Sequence, residues 1–245
     1  MPKVNNLTLS PVIRSTDVVL TDYHKDRLED VAYLTAMTIV LMGNYSQTGH
    51  FGGPLAYTPY TVATHLLGPE KGGLLYDYRR PKHPYADRFM LAGGHNAPAM
   101  YALWAILGEA LLRKYKETGQ KKYYVDPKQS FYSIDCLGFR RSQSGVKNML
   151  KDNGLSDHPV MKQAKVRGIR SLAGHSESTD MTNDVNGGPS GIGIATAAGK
   201  AAFWDIVGAP ESPKIMAIEG EFAMTSGHSQ EMKTQAVAQQ VGKRL

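Results

Sequence analysis

The chain has 245 residues, 42% hydrophobic and 20% charged, with 25 glycines and one cysteine. A globular chain of this length buries roughly 70–75% of its unfolded surface, so it holds a core without disulfides, and the lone Cys136 excludes both a disulfide scaffold and a thiolate zinc cluster. Twenty-eight Lys and Arg against 22 Asp and Glu give a formal charge of +6, spread in short groups such as Arg79-Arg80, Lys121-Lys122 and Arg140-Arg141; without a long basic block this fits phosphorylated small ligands better than nucleic acid. Residues 1–10 lack the charged region and apolar core of an export signal. The longest apolar stretch, 31–42, is broken by Tyr33, Thr35 and Thr38 and is too short to cross about 30 Å of hydrocarbon. A cytoplasmic protein with no membrane partner is expected.

Along the chain, Leu28, Val31, Leu34, Ile39 and Met42 recur at three- and four-residue steps from Asp22 and predict a buried helix that stops near Gly43-Asn44. A glycine-rich loop follows, Gly49-His-Phe-Gly-Gly-Pro54, and then a weakly helical stretch over 60–67. Residues 68–94 are rich in Gly, Pro, Tyr and basic side chains and read as a long surface connection ending in a short buried strand, 88–92. Pro98 suits the first turn of the helix that carries Met100, Leu103, Trp104, Leu107 and Leu111. Residues 113–167 are polar and basic and read as an excursion over a core built by the rest. Gly187–193 then leads into an alanine-rich helix, 194–207, followed by a buried strand, 213–218, and a last helix, 227–241. Strands and helices that alternate, with glycine turns after the strands, predict a single α/β domain, 1–245, with a mainly parallel sheet flanked by helices on both faces. Ligands in such sheets bind beyond the carboxyl ends of the strands.

Three features in those turns carry chemistry. The Gly187–193 turn combines missing side chains, free N–H groups and a helix start, which suits a phosphate or a flat ring; a tight turn alone also demands glycine, and the segment lacks the Gly-Lys-Ser/Thr of a Walker loop. Glu219 and Glu221 close the second strand around Gly220, and a strand-end carboxylate beside a phosphate is a natural magnesium ligand, although a solvated pair of acids has the same pattern. His50, His95 and His175 each follow a glycine in a turn, where an imidazole stays accessible for proton transfer. One such histidine is usually surface decoration; three in matching settings are not. His24, His65, His83, His158 and His228 lack that setting. Cys136 reads as core, and Gly188-Pro-Ser-Gly191 has no strand leading into it as a nucleophile elbow requires.

Five segments together resemble a known family: Gly49-His-Phe-Gly-Gly-Pro54, Ala86-Asp-Arg-Phe-Met-Leu-Ala-Gly-Gly-His95, Gly174-His-Ser-Glu177, Gly188-Pro-Ser-Gly-Ile-Gly193 and Ile218-Glu-Gly-Glu221 stand in the order seen in the amino-terminal half of transketolases. The resemblance covers about 25–112 and 168–242. It implies the thiamine diphosphate-binding fold and a transferase that moves a two-carbon ketol unit between sugar phosphates with thiamine diphosphate and Mg2+. Carried over by residue, His50, His95 and His175 line the channel over the thiazolium and bond sugar hydroxyls, with His95 also counted as a cofactor contact. Gly188, Ser190 and Gly191 border the cofactor through backbone groups, Gly220 lies against the diphosphate, and Glu219 takes the metal position. The chain departs from the pattern in reading Ile218-Glu219-Gly220 for Gly-Asp-Gly, Ser190 for a leucine, and one extra residue in 222–227.

The resemblance also implies what lies elsewhere. The asparagine that completes the family's metal site would fall beyond Leu245, and the carboxylate that activates the aminopyrimidine belongs to a second domain supplied across a dimer interface. The expectation is half of an active site, partnered by a pyrimidine-binding domain on a second chain or in a carboxy-terminal continuation, with truncation preferred because residue 245 falls between a helix and its next strand. The other readings are another thiamine diphosphate enzyme, decarboxylating a 2-oxo acid or forming deoxyxylulose phosphate, and a non-catalytic paralogue acting as an assembly module.

Overall fold

A computed structural model describes residues 25–159, 161, 168–185, 187–189, 191–209, 213–220 and 222–245. The expected helix start at Asp22 and the candidate residues Ser190 and Glu221 lie outside the described residues. The helices are α1 (Lys25–Ser46), α2 (Gly52–Leu66), α3 (Ala97–Thr118), α4 (Gln143–Asp152), α5 (Ile192–Ile206) and α6 (Gly227–Ala238), and the strands are β1 (Arg88–Leu91) and β2 (Ile215–Ile218). The chain divides into two compact units. The strand unit contains Thr64–Gly94 and His175–Leu245; the helical unit contains Tyr23–Ala63 and His95–Gly174.

In the strand unit β1 and β2 pair in parallel, Arg88 with Ile215 through Leu91 with Ile218. Ala92 N–H extends the ladder by donating to Ile218 O at 2.8 Å. All four residues of β1 are buried, as in a strand covered on both faces: Phe89, Met90 and Leu91 make an apolar run and not an alternation, and Arg88 is accommodated by its ion pair with Asp184. Ala197 and Ala201 of α5 are fully buried and share a core with Met90, Ile215, Met232 and Ala236. Such close approach is what the alanines permit; a Cβ on Gly193 would overlap Ala92 Cα. The expected α/β fold with a parallel sheet is present.

Residues 68–87 are only in part the surface connection that their composition predicts: 69–72, 80, 82 and 84 are exposed, and the segment goes inside on either side of 79–84. Leu74, Tyr76, Tyr78, Tyr85 and Ala86 are buried. Burial of an irregular segment requires its polar groups to be satisfied, and Asp87 does this by accepting from Leu75 N–H (2.8 Å) and Lys214 N–H (2.7 Å). Burial raises the Asp87 carboxyl above its ordinary range, against those two bonds and the nearby cations. Asp184 goes the other way: burial pushes it up, but Arg88 at 3.1 Å and Lys82 and Lys200 at 3.3 Å outweigh that and hold it down.

The helical unit is centred on α3, whose Met100, Tyr101, Leu103, Trp104 and Leu107 are almost wholly buried. Gly119, at φ 66°, ends α3 with its N–H on Tyr115 O, the left-handed cap that glycine adopts without penalty. On α1 the buried stripe is Val31, Thr35, Ile39 and Met42, while Leu34 is exposed. The helix is therefore one-sided where the sequence predicts a buried one. Thr35 takes a core position because its hydroxyl donates to Val31 O at 2.7 Å, leaving nothing unpaired. Tyr132, Ile134, Val146, Met149, Leu150 and Ile169 form a further buried cluster. Among the described residues no helix is long and apolar enough to cross a membrane.

Candidate functional site

The strand unit collects its motif loops at the carboxyl ends of β1 and β2. Gly94 O accepts from Ser176 N–H (3.0 Å), and Ser176 O accepts from Gly187 N–H (3.2 Å), so the residue after His175 bridges two glycine turns. Gly94 and Gly187 touch so closely that a Cβ on Gly94 would overlap the Gly187 carbonyl oxygen. Gly191, at φ 90°, caps the start of α5. A Cβ there would overlap Ser226 Oγ. Ser226 Oγ lies 3.1 Å from Ser229 Oγ, whose single proton is shared between Glu219 Oε1 at 2.9 Å and Ala223 O at 2.8 Å. Gly191 and Glu219 are thus tied into one cluster at the starts of α5 and α6. His175 and Gly188 are exposed, Gly220 is half-buried, and among the described residues nothing lies within 4 Å of where a Cβ would stand on Gly188 or Gly220.

In the helical unit His50 and His95 come together, with ring centroids 5.3 Å apart and planes at 65°. His95 sits in the single turn Gly94–Asn96 before α3, half-buried, and His50 is exposed on the turn before α2. The helix following His50 starts at Gly52, earlier than the sequence predicts, because Pro54 falls in its first turn, where a missing N–H costs nothing.

Two features here escape sequence reading. Asn96 is wholly buried, and neither atom of its carboxamide has a hydrogen-bond partner among the described residues. A Cβ on Gly53 would overlap Asn96 Oδ1. Gly53 and Asn96 are therefore complementary in size, and Gly53→Ala is expected to cost about 1–3 kcal/mol through overpacking. Urea unfolding of a double-mutant cycle checks it: with Asn96→Ala in place, Gly53→Ala loses most of that cost, and a cost unchanged by Asn96→Ala would refute the pairing.

The other feature is the turn Phe139–Arg141, from the segment 113–167 that reads in sequence as an excursion. The Phe139 ring meets Phe51 edge-on, centroids 6.0 Å apart, and packs on Gly49, where a Cβ would stand 2.8 Å from Phe139 Cε1. Arg140 donates through Nη1 to Thr48 Oγ1 (3.3 Å), and Arg141 through Nη2 to Tyr45 O (2.5 Å). Three consecutive residues therefore grip the turn that carries His50. Arg140 does so at φ 54°, a left-handed backbone that costs a side-chain-bearing residue about 1–2 kcal/mol.

The remaining chemistry is negative. Cys136 is buried, and that burial pushes its thiol far above the range of a nucleophile. Among the described residues no group of three or more His, Cys, Asp or Glu is placed to hold a metal ion. A groove of about 670 Å³ between α5 and α6 is lined by Ala195, Ala198, His228, Glu231 and Met232. It contains none of the motif residues.

No family model matches the chain. A stretch of 63 residues is 40% identical to transketolase of Homo sapiens, and equally to that of Pongo abelii, covering 24% of this chain and 10% of each relative. A solved transketolase from Pichia stipitis is similar in structure with a TM-score of 0.60 at 20% identity, over 88% of this chain and 26% of that one. One from Campylobacter jejuni gives 0.59 at 19%, over 89% and 27%, and one from Leishmania mexicana 0.54 at 21%, over 85% and 25%. The chain spans a tenth of the curated relatives it matches and about a quarter of the solved chains.

Proposed function

We propose that this chain, which has the fold of a transketolase amino-terminal domain, supplies the diphosphate-binding half of a thiamine diphosphate-dependent transferase that moves a two-carbon ketol unit between sugar phosphates. The observation that supports the reading best is the hydrogen-bonded junction of three motif loops at the strand ends, Gly94 to Ser176 to Gly187. When bound, thiamine diphosphate supplies the carbanion stabilisation that ketol transfer needs. The chain's residues supply position and polarity. Gly188 and Gly220 leave open space beside their Cα atoms, room for a diphosphate to lie on bare backbone. The N–H groups at the start of α5 face an anion with the favourable end of the helix dipole. Ser190 completes that loop in the proposal.

Glu219 is the metal residue of the proposal, with Oε1 held by Ser229 so that the carboxylate keeps one orientation. The described residues do not make a magnesium site by themselves, and magnesium ordinarily completes its shell with water and phosphate oxygens. The metal is expected to bind only with the diphosphate. His50, His95 and His175 donate to and accept from substrate hydroxyls and hold protons at their ring nitrogens. A second, pyrimidine-binding domain, on a partner chain or a continuation of this one, supplies the other half in a dimeric assembly.

Isothermal titration calorimetry tests this directly. Magnesium chloride alone is expected to give no saturable heat, and thiamine diphosphate to bind only in its presence, with the pyrimidine-binding domain added. Glu219→Gln is expected to weaken the magnesium-dependent binding at least tenfold, the scale of a charge-assisted contact. Absence of thiamine diphosphate binding under every one of these conditions would reject the reading.

A further inference from the structure

We propose that the basic surface made by the end of α3 and the turn after it, residues 113–128, docks an acidic segment of a partner protein. The inference goes beyond the function proposed above and does not rest on it, because these residues lie outside the segments that resemble transketolases. Arg113, Lys114, Lys116, Lys121, Lys122 and Lys128 against Glu117 and Asp126 make a net charge of +4 here, in a chain whose formal charge is +6. All eight residues are exposed. The two acids are already engaged: Glu117 Oε1 accepts from Arg113 Nε at 2.9 Å, and Asp126 Oδ1 from Lys128 N–H at 2.9 Å. Among the described residues no ion pair holds Lys114, Lys116, Lys121, Lys122 or Lys128. The macrodipole of α3 accounts for Lys116 in its last turn, but that effect fades within the turn, and Lys121, Lys122 and Lys128 follow the end of the helix at Thr118.

The cations are also held in place, which separates them from a loose basic tail. Tyr123 N–H donates to Gln120 O and Tyr124 N–H to Lys121 O, both at 3.0 Å. Tyr124 folds back on Tyr115 of α3, with ring centroids 5.2 Å apart and planes at 62°, which keeps Lys121 and Lys122 beside the end of the helix. Lys128 is fixed from a distant stretch: Arg170 Nη2 donates to its carbonyl oxygen at 2.7 Å and brings a further cation. Like charges held together repel one another, and an anionic partner removes that repulsion. The tyrosines favour a protein over a nucleic acid. The Lys122 ammonium lies over the Tyr123 ring at 5.0 Å, and Tyr115 and Tyr124 engage each other, so the rings are not set out as the open stacking platforms on which single-strand binding depends. Tyrosine and arginine are instead enriched in protein interfaces, where rim lysines steer encounter.

The test is fluorescence anisotropy of the full chain with a fluorescein-labelled peptide of repeated Glu-Glu-Ser, beside an oligouridylate of equal charge; neither measurement involves thiamine diphosphate, so the result leaves the function proposed above untouched. The peptide is expected to bind with saturation and to lose about tenfold in affinity between about 50 and 200 mM NaCl, as screening of exposed charges requires. Lys121→Gln/Lys122→Gln is expected to weaken it about tenfold or more. Lys71→Gln/Lys233→Gln removes the same charge from exposed positions of the strand unit and is expected to leave the affinity within about twofold. Both double variants should melt with the wild type, since substitutions at exposed positions change stability little. Equal losses in the two would reduce the effect to net charge and overturn the assignment, as would no saturable peptide binding at about 100 μM protein. Tighter binding of the oligouridylate than of the peptide would give the surface to nucleic acid and overturn it as well.

Discussion

Under the proposed function, His95→Ala is expected to lower kcat about 10²–10⁴-fold, the usual contribution of a positioned acid or base, when the chain is assembled with a pyrimidine-binding domain. The physical basis is the setting of the ring. It stands in a single turn before α3, half-buried, with its ring centroid 5.3 Å from that of His50 and the planes at 65°. In the proposed site two imidazoles at that distance bond hydroxyl groups of one ligand. The neighbouring α3 is packed by residues other than His95, so the variant should melt close to the wild type. His50→Ala should fall in the same range, and the double variant should lose less than the product of the two, as residues acting as a unit do. Steady-state kinetics with ketose phosphates decides it; a kcat within threefold of the wild type in both single variants would remove these histidines from the reaction.

Gly94→Ala is expected to destabilise the protein by about 3 kcal/mol or more, at the upper end of overpacking costs, lowering the melting temperature by roughly 6–12 °C for a chain of this size. The new methyl would fall on the Gly187 carbonyl oxygen, and neither backbone can yield cheaply. Gly94 O receives Ser176 N–H and Gly187 N–H is committed to Ser176 O, so separating the loops breaks both bonds. Gly188→Ala and Gly220→Ala provide the contrast, since among the described residues nothing stands within 4 Å of either Cβ position. Each should melt within a few degrees of the wild type and, under the proposed function, lose thiamine diphosphate affinity, because the methyl would occupy the place proposed for the diphosphate. Calorimetric melting with the binding titration separates glycines kept for packing from glycines kept for a ligand. Equal melting temperatures for Gly94→Ala and Gly220→Ala would refute that division.

Some of this was legible in the residues. A run of four apolar residues followed by glycine announces β1, since a strand covered on both faces has no polar side to alternate with. Pro98 places the start of α3, and the alanines of α5 announce a close contact, found where Gly193 meets Ala92. The glycine-histidine turns are visible because turn chemistry is local. Other features were not. Residues 68–87 are polar enough to read as surface, and the bonds of Asp87 to Leu75 and Lys214, 12 and 127 positions away, help satisfy the part that goes inside. Leu34 has the right spacing for a core and is exposed, because periodicity does not say how wide the buried stripe is.

Composition and local pattern by themselves determined the α/β class, the order of strands and helices, and the positions of the turns able to carry chemistry. These depend on backbone propensity and on residues within a few positions of one another. Tertiary structure alone decided that Gly53 makes room for Asn96, that Ser229 holds Glu219, and that Arg140 and Arg141 grip the loop of His50. Each joins side chains from separate stretches of chain, and their match in size, charge and hydrogen-bonding direction has no signature until the chain has folded.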